Sequence, residues 1–135
     1  MKEEYIKTKS TKLQLIQEVL QILTKKDNVK KKTYLIEKKV IFGTGEASKK
    51  IMLKLLAFGE SVESFIDNNS SKWGVLNGIP VKGPQHLCEF NKNHTIIMVA
   101  SVYYDEISKQ LLEAGFIENI DFINANDITN YLENV

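Results

Sequence analysis

Val40-Ile41-Phe42 runs directly into Gly43-Thr44-Gly45, and an amphipathic helical pattern begins at once behind it. A short apolar run stopped by glycine is the pattern of a parallel strand covered on both faces. Ala47, Ile51 and Leu55 then fall on one helical face, with Met52 and Leu56 beside them, and Gly59 suits the position just past the helix end. The chain leaves a sheet through a tight glycine turn and returns over it as a helix. That succession demands a layered fold in which helices cover a sheet.

The alternation continues downstream. Val62–Ile66 reads as the next strand, ending at Asp67, and the polar run Asn68–Lys72 as a loop. Trp73-Gly74 and Asn77-Gly78 bracket a turn. Ile79-Pro80-Val81 is extended, with its proline placing it on an edge or outside the sheet. Pro84 opens a short helix through Leu87 and Phe90. Thr95–Ala100 is apolar almost throughout and is the clearest buried strand. Ser101 is placed to cap a helix whose buried face is Ile107, Leu111 and Ala114 and whose end is Gly115. Asp121–Asn124 is a last strand, and residues 128–132 a final helix. The reading is an α/β fold with a parallel sheet of about four to five strands flanked by helices.

Ahead of this unit, Leu13, Ile16, Leu20 and Leu23 repeat at helical spacing, so residues 11–24 read as an extra N-terminal amphipathic helix. The division is a helical extension over 1–38 and the α/β domain over 39–135. Charge follows the same line. Residues 1–39 hold eleven Lys and five acids, whereas residues 40–135 hold seven Lys and twelve acids. The helix over 11–24 is the expected docking surface for a homo-oligomer or a partner domain.

All eighteen basic residues are Lys. A bound phosphate must therefore be held by backbone N–H groups or by ammonium groups rather than by a guanidinium fork. The net charge of +1 and the lack of interleaved basic and aromatic residues argue against a nucleic-acid partner. Cys88 is the only cysteine, and no run of eighteen apolar residues exists. The expectations are no disulfide, no membrane span and a cytoplasmic location.

The glycine loop carries the functional expectation. After a strand and before a helix, the first glycine permits the bend and the second lets a pyrophosphate approach the backbone. The helix N-terminus adds free N–H groups and a positive dipole end. Asp67 ends the following strand, where a carboxylate accepts hydrogen bonds from ribose hydroxyls and disfavours a 2′-phosphate. NAD or a nucleotide-sugar is thus expected over NADP. Ser48 replaces the third glycine of the full fingerprint, and Glu46 puts a carboxylate in the first helical turn.

The segments VIFGTGEASKKI, FIDNNSSKWGVLNGIPVKGPQHL and TIIMVASVYYDEISKQLLEAGF resemble the Rossmann-like modules of bacterial surface-polysaccharide proteins. Similar modules form the N-terminal domains of capsular polysaccharide nucleotide-sugar dehydratases and epimerases, and the nucleotide-sugar-binding domains of bacterial sugar acyltransferases. The resemblance spans Val40 to Asn124. It implies phosphate contact at Gly43, Thr44 and Gly45, with Glu46 beside them. It also implies ribose or base contact at Asp67 and Asn68, and a place for Ser101 on the crevice at the end of a later strand.

A complete catalytic site is not legible. A Tyr-x-x-x-Lys pair is absent, since Tyr103 and Tyr104 precede Lys109 by six and five positions. His86 and His94 lack Cys or carboxylate neighbours at metal-ligand spacing, so no metal is expected. No nucleophile elbow, Walker loop or HExxH motif occurs. The leading expectation is a nucleotide- or nucleotide-sugar-binding module without its own catalytic site. The alternatives are a small NAD-linked oxidoreductase-type protein and a ligand-free interaction domain.

Overall fold

β1 (Lys38–Phe42) lies at the centre of the sheet, and its side chains alternate between two cores. Ile41 enters one apolar cluster, while Val40 and Phe42 enter the other. In the computed structural model, which describes residues 37–57 and 59–126, all three are essentially inaccessible to solvent. The helices expected over 11–24 and 128–132 lie outside the described residues.

Around β1 the sheet holds β2 (Ser64–Ile66), β3 (Gly74–Leu76), β4 (Ile79–Lys82), β5 (Thr95–Val99) and β6 (Phe122–Asn124), in the order β3-β4-β2-β1-β5-β6. Every pairing is parallel except β3 with β4. The described sheet is therefore α/β and mostly parallel, but it has six strands where four to five were expected. The additional strand is β3.

Two α-helices among the described residues cover opposite faces. α1 (Glu46–Ala57) sets Ile51, Met52 and Leu55 against Ile41, Phe65, Ile96 and Met98. α2 (Tyr104–Glu113) sets Ile107 and Leu111 against Val40, Phe42, Ile97 and Val99. Each such side chain contributes about 1.5–3 kcal/mol on leaving water, so the two layers hold the central strands rigidly. Ala114 does not belong to the buried face of α2. It sits at the C-cap and is exposed, and Ser108 and Phe116 are covered instead.

The expectation for Pro80 also needs correction. β4 is an interior strand, parallel to β2 on one side and antiparallel to β3 on the other. Asn77 and Gly78 both have positive φ, at 53° and 79°, and form a two-residue turn with the hairpin twist. Leu76 and Ile79 flank that turn, so Val75 and Pro80 form the next, non-hydrogen-bonded pair. β2 pairs with β4 only from Val81 onward. A proline at this point gives up no ladder hydrogen bond to either neighbour.

The chain runs from β1 out through β2 and β4, then crosses back over β1 to reach β5 and β6. The order reverses beside β1. In parallel sheets a crevice opens at such a reversal, outside the carboxyl ends of the strands.

Candidate functional site

The crevice is present, with a volume of about 660 Å³ at the carboxyl ends of β2, β1 and β5. Gly43, Thr44, Gly45 and Glu46 line it from the β1–α1 loop. Asp67 and Asn68 line it from the end of β2, and Ser101 from the end of β5. All seven residues singled out in the sequence thus meet in one place, although they come from three separate segments.

The two glycines of the loop have different physical reasons. Gly43 has φ of +113°, and a Cβ there would sit 3.0 Å from both the Ala100 carbonyl oxygen and Ser48 Oγ. Its N–H donates to the Ile66 carbonyl at 2.7 Å. The fold itself requires this glycine. A Cβ on Gly45 would meet nothing within 4 Å. Its bare backbone therefore leaves room at the start of α1, where the first N–H groups have no helical acceptor.

Ser48 occupies the third position of the glycine pattern and is fully buried. Its hydroxyl donates to the Ala100 carbonyl at 3.0 Å, tying α1 to the end of β5. A small polar residue thus does by hydrogen bonding what close contact does for glycine. Glu46 turns outward: its side chain is 87% exposed and lies 3.8 Å from Lys49. Among the described residues it makes no hydrogen bond to the helix amides, so the N-terminus of α1 stays open.

Asp67 is held from two directions. Thr44 Oγ1 donates to one carboxylate oxygen at 2.7 Å, and the Asn69 N–H donates to the other at 2.8 Å. The carboxylate is oriented while each oxygen keeps a further lone pair for a ligand hydroxyl. Trp73 braces the same point, donating its indole N–H to the Asp67 carbonyl at 2.8 Å. It is not a crevice residue, so its ring serves the loop structure. Asn68 forms a reciprocal amide pair with Gln110 of α2, both bonds being 2.9 Å.

Ser101 does not cap α2. Its Oγ accepts from the Tyr103 N–H at 3.0 Å, making a local turn before the helix, and the N-cap is Tyr103. Sequence reasoning missed several lining residues. Lys72 contributes an ammonium group that forms no ion pair among the described residues. Tyr103 and Glu106 line the β5 side. Lys72 was within reach of prediction, five positions after Asp67 on the same loop. Gln110 carried no signal, since it lies 42 positions from Asn68.

The matched stretch now decides the family. A family model described as C2185-like, N-terminal, covers residues 35–120. The chain belongs to this family. No curated protein matches it. The C2185-like N-terminal span includes every crevice residue from Phe42 to Ile107. The crevice therefore lies wholly within the matched stretch.

Elsewhere in this C2185-like domain, polar groups pair locally. His86 Nδ1 is hydrogen-bonded to Glu89, which holds that carboxyl below its usual range, with Lys82 a smaller influence. Cys88 is exposed, and its Sγ contacts the Gln85 carbonyl rather than His86. Among the described residues no group of three or more His, Cys, Asp or Glu is arranged to hold a metal ion. Among them, too, no helix is long and apolar enough to cross a membrane.

Proposed function

We propose that this domain is a Rossmann-like module that binds a nucleotide or nucleotide-sugar, of the kind used in bacterial surface-polysaccharide biosynthesis. One observation carries the reading. The glycine loop, the β2 carboxylate and the β5 serine all line one crevice at the strand-order reversal. In this reading, ligand phosphates lie over Gly43–Gly45 against the α1 N-terminus. Asp67, oriented by Thr44, accepts hydrogen bonds from the ribose hydroxyls. Lys72 supplies positive charge that the chain cannot take from arginine. The module acts as a binding unit and works with catalytic machinery outside this crevice.

Thermal-shift measurement against UDP-sugars, CDP, NAD and coenzyme A tests the reading. A ligand that binds only the native state stabilises it by about 2.7 kcal/mol at a hundredfold excess over its dissociation constant. The expected result is a rise in melting temperature with at least one of them, abolished by Gly45→Val in a variant that keeps the native far-UV spectrum. No shift with any ligand at millimolar concentration overturns the proposal. A shift that survives Gly45→Val puts the ligand somewhere else.

A second reading is a ligand-free interaction domain. It is favoured by the internal hydrogen bonding of Asp67 and Asn68, whose side chains are both engaged by the protein itself. The same screen separates the two.

A further inference from the structure

The crevice has ends as well as walls, and side-chain amides tie both. On the β2 side the Asn68–Gln110 pair joins the loop after β2 to α2. On the β6 side Asn126 Nδ2 donates to the Ser101 carbonyl at 2.8 Å, and the Ala125 N–H donates to the Val99 carbonyl at 2.8 Å. The segment leaving β6 is thereby fastened against the loop leaving β5.

The lining residues respect these boundaries. No residue from β4, from β6 or from 125–126 lines the crevice. Its open space is confined to the ends of three adjacent strands, β2, β1 and β5, which together span about 10 Å across the sheet. Dinucleotides lie across two successive mononucleotide-binding halves of a sheet, with one nucleoside over each. Among the described residues the far side of the strand-order reversal reaches the crevice only through the end of β5, and β6 lies outside it. The path towards a second set is crossed by the Asn126–Ser101 tie.

We infer that the crevice takes a ligand with a single nucleoside, a nucleoside diphosphate or its sugar ester, and not a dinucleotide such as NAD. This rests on the nucleotide reading proposed above and narrows it to one of the ligand classes that reading allows. One ribose engages Asp67, one phosphate group or pair lies over Gly43–Gly45, and whatever is attached beyond the phosphates extends outward past Tyr103. That ring is 63% exposed on the crevice side of the β5 loop.

The test is calorimetric titration of the full chain with ADP, UDP, CDP and GDP, and with NAD, at one ionic strength. The expected result is that at least one diphosphate binds, and that NAD binds at least threefold more weakly than the best of them. NAD binding within threefold of the best diphosphate, or more tightly, overturns the inference and leaves the nucleotide reading standing. Binding by none of the five overturns both.

Discussion

The Thr44 hydroxyl donates to the Asp67 carboxylate across 2.7 Å, joining the glycine loop after β1 to the end of β2. The two residues lie 23 positions apart and meet because β1 and β2 are parallel neighbours, paired from Val40–Ser64 to Phe42–Ile66. Equal register brings the two strand ends out of the sheet at the same height. The contact thus couples the segment proposed to hold phosphate with the carboxylate proposed to hold ribose. A hydrogen bond to a charged acceptor contributes about 1.5–3 kcal/mol, at the lower end where water reaches it. Thr44→Val is expected to destabilise the domain by about 1–2 kcal/mol in urea unfolding, whereas Thr44→Ser, which keeps the hydroxyl, should retain most of the stability. Equal loss in the two variants would show that the methyl group and not the hydroxyl matters.

The two loop glycines separate stability from binding. Gly43→Ala places a Cβ 3.0 Å from the Ala100 carbonyl and from Ser48 Oγ, at a φ of +113°. Backbone strain and steric conflict act together there, and a loss of about 2–3 kcal/mol is expected. Gly45→Ala meets nothing within 4 Å, and its cost should be about 1 kcal/mol or less. Urea midpoints measured side by side decide this. Similar losses for the two would contradict the assignment of Gly43 to the fold and Gly45 to the ligand.

How far these features are legible in the sequence depends on whether their cause is local. β1, α1 and β5 are written in their own residues. Five consecutive residues from Thr95 to Val99 are buried, and no amphipathic alternative suits such a run. The glycine loop is legible for the same reason, because strand, turn and helix are contiguous. The hairpin was readable in part: Asn77-Gly78 is a strong two-residue turn signal, yet Pro80 drew attention to an edge that does not exist. The missed device was register, which puts the proline opposite Val75 at a position that needs no donor. Ala114 fell on the right helical face but beyond the last buried turn. Gln110 and Asn126 became functional candidates only through contacts 42 and 25 positions away, which no local pattern encodes.

Alkaline pH is expected to weaken the fold through Tyr104. Burial, and the hydrogen bond that its hydroxyl donates to Glu118, hold this phenol protonated well above its ordinary value of 10.0. Its ring also packs against Phe122, with centroids 6.5 Å apart. Because the folded state keeps the proton more tightly than the unfolded chain, the stabilisation is complete below the unfolded value. It is lost progressively as pH rises above 10. The urea midpoint should therefore fall as pH rises from 10 to about 12, and Tyr104→Phe should flatten part of that decline relative to the parent. A variant with the same pH slope as the parent would assign the loss to other groups.

Lys72 gives the most direct test of charge in the crevice. It is the one basic side chain among the described lining residues, against the carboxylates of Glu46, Asp67 and Glu106. It lies in a 3₁₀ turn over Ser70–Lys72, whose start is fixed by the Asn69 side chain accepting from the Ser71 N–H at 3.0 Å. The backbone under the ammonium is thus ordered, while the ammonium has no ion-pair partner among the described residues. For a phosphate-bearing ligand, Lys72→Met is expected to weaken binding about tenfold, equivalent to about 1.4 kcal/mol. The parent's affinity should fall as ionic strength rises from 20 to 300 mM, and the variant's should fall less steeply, since one screened attraction has been removed. The substitution keeps most of the unbranched stem of the side chain and should leave the melting temperature of the unliganded protein nearly unchanged. If affinity and salt dependence both match the parent, Lys72 does not face the ligand's phosphates, and the amides at the start of α1 would have to hold them unaided.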